Sequence, residues 1–163
     1  MAEPSAPGLL TVGWREWLAL PELGIAAIKA KVDTGARSSA LHVDACESFE
    51  RDGISLVRFS IHPGDREDPE AFACEAAVCD RRPVTDSGGH TTERIFIRTL
   101  VVVGALRFAL EVNLSDRRNM LFPMLLGRSA MAGRLLVDPQ ASFLLGRPKR
   151  RRADGALRIG RPT

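Results

Sequence analysis

The sequence predicts an all-β, barrel-like domain, on three observations. Short runs rich in β-branched and aromatic residues recur along the chain, punctuated by glycine, proline and acidic residues. Only one segment, 129–132, has a helical look. Helix-length amphipathic patterns do not alternate with strands, which excludes a doubly wound α/β arrangement.

Taken in order, residues 1–8 are Pro- and Ala-rich and read as disordered, and residues 9–14 open the fold as a strand. Leu18, Leu20 and Leu23, with Pro21 and Gly24, predict a turn. Residues 25–32 form the next strand, with Ile28, Ala30 and Val32 at alternate positions. Residues 38–43 are extended again, and 54–61 (ISLVRFSI) are strongly β in composition. A polar loop covers 62–69. Residues 71–79 and 93–98 predict two strands around a long tip, and 100–103 with 107–112 a hairpin about Gly104-Ala105. Residues 121–126, 135–138 and 142–145 are the last strands. The domain so defined is 9–146, followed by a basic, disordered tail, 147–163.

The totals suit one soluble domain of 163 residues, 45% apolar and 26% charged. No apolar run approaches the ~20 residues of a membrane-spanning helix. The first seven residues lack the basic start and apolar core of a signal peptide. Three cysteines, Cys46, Cys74 and Cys79, cannot all pair within the chain, so the expectation is reduced thiols in the cytoplasm. The net charge of +3 divides unevenly: six Arg and one Lys against Asp154 give +6 from Arg147 onward, leaving 3 − 6 = −3 for the rest. The tail reads as a solvated extension, with contact to a nucleic acid such as ribosomal RNA as the sharper alternative.

The chemistry centres on Lys31-Val32-Asp33-Thr34-Gly35-Ala36-Arg37. A strand running straight into Asp33 holds a carboxylate rigidly. Gly35 lets backbone N–H groups approach its oxygens, and the Thr34 hydroxyl is available to bind across an interface. Downstream, Pro123-Met124-Leu125-Leu126-Gly127-Arg128 precedes the short helical segment. There is no His-Glu-x-x-His and no Gly-x-x-x-x-Gly-Lys-Ser/Thr, and His42, His62 and His90 fall in separate segments. The residues therefore predict no metal and no cofactor.

Asp-Thr-Gly followed by Leu-Leu-Gly-Arg resembles the retropepsin-like aspartic proteases. With Gly13-Trp14-Arg15-Glu16-Trp17 and Val84-Thr85-Asp86-Ser87-Gly88-Gly89-His90, the chain is similar over residues 9–148 to the bacterial family labelled "ATP-dependent zinc proteases". The resemblance implies a closed barrel working as a homodimer. In it Asp33 of each subunit, with Thr34 and Gly35, forms a dyad that activates water for peptide hydrolysis. It also implies a flap at Ser87, Gly88, Gly89 and His90, gripping a peptide by strand pairing.

Two departures from the pattern bear on the substrate. Ala36 stands where many cellular relatives carry a hydroxyl, which predicts activity nearer neutral pH. Arg37 stands where retroviral enzymes have an acid paired to the Gly-Arg arginine, here Arg128. One of the two arginines is then free for an acidic substrate side chain, or pairs internally with Asp44, Asp116 or Asp138. Arg81, Arg82, Arg94, Arg117 and Arg118 are candidates to extend such a groove. The family's link with a ligase that adds glutamates to a ribosomal protein implies a glutamate-tailed ribosomal protein as substrate. A non-catalytic module binding acidic peptides and a zinc metallopeptidase are the alternatives.

Overall fold

The computed structural model describes residues 9–64, 71–116 and 121–148. Its elements are β1 (Leu10–Val12), β2 (Arg15–Leu20), a 3-10 turn (Pro21–Leu23), β3 (Ile25–Val32), β4 (Ser39–Val43), β5 (Ala45–Arg51), β6 (Ile54–Ile61), β7 (Phe72–Thr85), β8 (Thr91–Val103), β9 (Leu106–Asp116), β10 (Met124–Leu126), α1 (Arg128–Met131) and β11 (Leu135–Val137). The fold is mostly strand, as the composition predicts. No helix among these residues is long and apolar enough to cross a membrane. Of the disordered ends expected at 1–8 and 147–163, residues 1–8 and 149–163 lie outside the described residues, as do Arg117 and Arg118, whereas Arg147 packs on the domain.

One sheet carries the order β2-β3-β10-β4-β9-β8-β7-β6-β5, and β2 also meets β8 at Ala19↔Val102. The circuit β2-β3-β10-β4-β9-β8 thus returns to its start, and β7, β6 and β5 extend from it. A separate pair, β1 and β11, runs parallel through Leu10↔Leu135 and Val12↔Val137. Inward residues alternate along the strands as a half-buried sheet requires. Leu18 and Leu20 of β2, Ile28 and Ala30 of β3, and Val101 and Val103 of β8 are fully buried in one apolar cluster. Cys74 joins that cluster, and burial pushes its thiol up to about 12.

Several strand expectations need correction. The turn expected from Leu18 to Gly24 is confined to Pro21–Leu23 and Gly24, and residues 15–20 before it form a strand, β2, whose inward-facing set is Glu16, Leu18 and Leu20. A carboxylate at an inward position breaks the apolar period. β5 has no buried residue and so no hydrophobic signal. It forms by pairing with β6 from Ala45↔Ser60 to Arg51↔Ile54. Asp52-Gly53, both at positive φ (54° and 79°), makes the tight turn between them. The runs at 93–98 and 100–103 are one strand, β8. Residues 142–145 form no strand, and Phe143 sits at φ 56°.

The segment after β11 is instead a strap bonded across β1 and β2. Trp14 N–H donates to the Ala141 carbonyl (2.8 Å) and Phe143 N–H to the Arg15 carbonyl (2.9 Å). Gly13 is required there, since a Cβ would stand 2.2 Å from the Ala141 oxygen. The Glu16 carboxylate, wholly buried, accepts from the N–H groups of Gly13 (2.7 Å), Leu144 (2.9 Å) and Leu145 (3.1 Å). Arg15 lies over the rings of Trp14 and Phe143, and Arg147 over Trp17 at 4.2 Å. Glu16 therefore acts as a side-chain cap for three backbone donors that no strand satisfies. Glu16→Ala strands all three and is expected to lower unfolding free energy by about 3 kcal/mol in urea titrations.

Candidate functional site

β3 ends at Val32 and delivers Asp33 into a loop, 33–38, that returns through β4. β10 lies between these two strands, parallel to β3 (Met124↔Ala30, Leu126↔Val32) and antiparallel to β4 (Met124↔Leu41, Leu125↔Ala40). The ladder continues one residue past β3, where Asp33 N–H donates to the Leu126 carbonyl (2.9 Å). The half-buried Asp33 side chain accepts at Oδ1 from Gly35 N–H (2.9 Å), and Oδ2 has no hydrogen-bond partner among the described residues. A Cβ on residue 35 would lie 3.2 Å from that Oδ1, so glycine permits the close turn.

The segment after β10 clamps the loop from beneath. Arg128 N–H donates to the Ala36 carbonyl (2.8 Å), and its Nη1 to the carbonyls of Thr34 (3.4 Å) and Gly35 (3.3 Å). Ser129 donates twice to the Arg37 carbonyl, from N–H (3.1 Å) and Oγ (2.8 Å). Gly127 packs so closely that a Cβ would stand 2.5 Å from the backbone carbon and oxygen of Ser38, and its N–H donates to Ser39 Oγ (2.9 Å). Thr34, Arg37, Arg128, Ser129, Met131, Ala132 and the three residues of β11 line an open groove of about 510 Å³.

Asp33, Thr34, Gly35, Ala36, Arg37 and Arg128 are thus gathered in one place. Ser87, Gly88, Gly89 and His90 are not part of it; they form the exposed tip of the β7–β8 hairpin. There Asp86 Oδ1 accepts from the N–H groups of Gly88 and His90 (both 2.9 Å), and Gly89 sits at φ 84°. The bond from His90 N–H, then that from Gly88, holds the Asp86 carboxyl below its usual range.

The hairpin's link to the Asp33 loop runs through its base. Arg94 Nη1 donates to Asn113 Oδ1 (3.1 Å), and Asn113 Nδ2 donates to the Ser39 carbonyl (2.9 Å). Sequence reasoning missed Ser39 and Asn113. An amide between the apolar Val112 and Leu114 was the available signal, since a buried Asn needs partners. Of the arginines proposed for a carboxylate-reading groove, Arg82 is already paired with Asp80 and Glu111 and lies over Phe96. Arg94 is taken by Asn113. Between the two loop arginines, Arg128 binds the loop's carbonyls, and no described carboxylate pairs with Arg37. Zinc needs three or four converging His, Cys or carboxylate donors, and no group of three gathers among the described residues.

His42, on β4, donates from Nδ1 to the Phe122 carbonyl (2.6 Å) and fixes the entry to β10. Burial, with a contribution from Arg94, lowers its pKa below the ordinary 6.5, against the raising effect of the Phe122 bond.

A family profile described as "RimB-like: Retropepsin-like aspartic endopeptidase RimB" matches residues 11–148. Proteins named "Probable alpha-L-glutamate ligase" from Shewanella pealeana and Desulfotalea psychrophila are each 41% identical over 135 residues, 83% of this chain. One of the same name from Parasynechococcus marenigrum is 41% identical over 137 residues, 84% of this chain. The chain spans only about 30% of the length of these relatives. A crystal structure of a Legionella pneumophila protein of unknown function superposes with a TM-score of 0.68 at 26% identity, covering 83% of this chain and 97% of that one. The expected function, peptide hydrolysis by an aspartic endopeptidase, is corrected by the relatives' names, which describe a ligase.

Two outcomes follow from the geometry. Gly127→Ala forces backbone apart under the Asp33 loop and is expected to cost about 1–3 kcal/mol in denaturant unfolding. The unfolded chain takes up the His42 proton near pH 6.5 while the folded chain resists it, so stability falls as pH drops below that value. His42→Asn keeps a donor near the Nδ1 position without the titration. It should flatten the change in urea midpoint between neutral and mildly acidic pH.

Proposed function

This chain belongs to the RimB-like family, described as retropepsin-like aspartic endopeptidases, and we propose that it is an enzyme acting on amide bonds of α-linked glutamate with Asp33 as its proton-transferring group. The observation that carries this reading is the Asp33 carboxylate. It is pinned by the β10 ladder, with one oxygen held by Gly35 and the other without a hydrogen-bond partner among the described residues. A carboxylate so placed takes a proton from an attacking nucleophile and returns it to the nitrogen of the amide. Making and breaking an amide pass through the same tetrahedral species, so the same group serves either direction. The family's description supports an aspartic-peptidase-type site, and the names of the curated relatives support α-glutamate as the residue handled.

Each chain brings one such carboxylate, and a second copy related by a two-fold axis is the economical source of another. The exposure of Thr34 beside Asp33 supports a role for its hydroxyl across such an interface. Amide formation in water also requires an activated carboxyl group. In the relatives named as ligases, most of the chain lies outside the matched part.

The test uses a synthetic peptide carrying a short tail of α-linked glutamates, incubated with the protein alone and again with ATP and free glutamate. Mass spectrometry of tail length should show a change by the wild type and a loss of at least about a hundredfold in rate for Asp33→Asn. Sedimentation should report a dimer. Tail lengths unaltered under both conditions would overturn the reading.

A further inference from the structure

Arg37 differs from its neighbours in what its two ends do. Its backbone carbonyl is fixed by both donors of Ser129. Its side chain is exposed, and no described carboxylate, carbonyl or ring engages its guanidinium. Most other arginines of the fold are occupied: Arg58 and Arg51 with Glu75, Arg82 with Asp80 and Glu111, Arg94 with Asn113, and Arg128 with the loop carbonyls.

The residues lining the groove that Arg37 shares have one charge sign, although Asp33 lies in the same loop. The groove beside Thr34 has Arg37 and Arg128 as its charged residues, an apolar side from Met131, Leu136 and Val137, and no carboxylate. A guanidinium anchored at its backbone and unneutralised at its head is a planar fork preorganised for a carboxylate, which it binds through two parallel hydrogen bonds. The apolar side suits the methylenes of a side chain two carbons long.

We propose that Arg37 is the specificity-determining residue that selects a glutamate side chain, holding its carboxylate in the groove beside Thr34. This rests on the reading that the chain acts on α-linked glutamate. Charge complementarity favours an acidic peptide over a second copy of this chain as the occupant, because the groove has no acid of its own to meet another chain's Arg37 and Arg128.

The experiment measures binding separately from turnover. Fluorescently labelled peptides with tails of α-linked glutamate, glutamine or lysine are titrated against the full chain by anisotropy, in wild-type and Asp33→Asn backgrounds. Wild type should prefer the glutamate tail over the glutamine tail by roughly ten- to hundredfold. Arg37→Ala should abolish that preference, Arg37→Lys should keep part of it, and Arg37→Glu should turn it toward lysine. Arg107→Ala, which removes an equal charge from β9, should leave it intact.

A glutamate preference that survives Arg37→Ala overturns the assignment. So does an Arg37→Ala effect that appears only as a change in sedimentation, because a second copy then fills the groove. If binding discriminates through Arg37 while no tail changes length, the selection stands and the amide-bond reading falls. If tails change length with no dependence on Arg37, the reverse holds.

Discussion

Three residues, Met124–Leu126, wedged between the strand that enters the Asp33 loop and the strand that leaves it, set the terms for everything around them. Without that wedge β3 and β4 would have no common partner, and the loop would hang between two sheet edges. With it, every peptide group from Asp33 to Arg37 that could drift has a nearby anchor: Leu126 takes the Asp33 N–H, Arg128 takes three carbonyls and Ser129 takes the fourth. Ordering each residue of a loop costs roughly 1–2 kcal/mol of backbone entropy, which these bonds offset. Gly127 makes the arrangement sterically possible, because only a residue without a Cβ can lie against the Ser38 carbonyl.

The same region is tied laterally. Ser39 receives Gly127 N–H at its hydroxyl and Asn113 at its carbonyl, and Asn113 in turn accepts from Arg94 on β8. The turn after β10 and the strands β4, β9 and β8 are thereby joined by one hydrogen-bonded line running from beneath the carboxylate to the root of the long hairpin. Ser39 and Asn113 are almost fully buried, and such groups specify register strongly because each would be costly to leave unmatched. Beyond that root, β7 and β8 extend to a tip closed by its own Asx turn at Asp86.

What could be read in the sequence was whatever depends on local pattern. The run Ile25–Val32 alternates from Ile28 onward and is a strand with those bounds, and Ile54–Ile61, β in composition, is a strand with those bounds as well. Asp-Thr-Gly and Leu-Leu-Gly-Arg are adjacent in space because their backbone geometry demands small residues at fixed points, a demand visible as glycine. What could not be read depends on partners far along the chain. β5 owes its existence to β6 rather than to its own exposed side chains. Glu16 looks like a surface charge until three N–H groups of a distant segment are placed around it. Arg82 and Arg94 look available until Asp80, Glu111 and Asn113 are seen to hold them. The ligase named in the relatives is described for proteins of which this chain spans about 30%, and no residue pattern within the chain carries it.

The parallel pair β1 and β11 has a mechanical consequence. Leu10 N–H bonds to the Arg134 carbonyl and Asp138 N–H to the Val12 carbonyl, so the first strand and the last lie side by side pointing the same way. A pull on the start of β1 against the end of β11 drags the two strands past each other along their length. Their bonds are then sheared together rather than unzipped singly. A load carried along these two strands is therefore borne by the whole seam at once, on the side of the domain where its first and last strands meet.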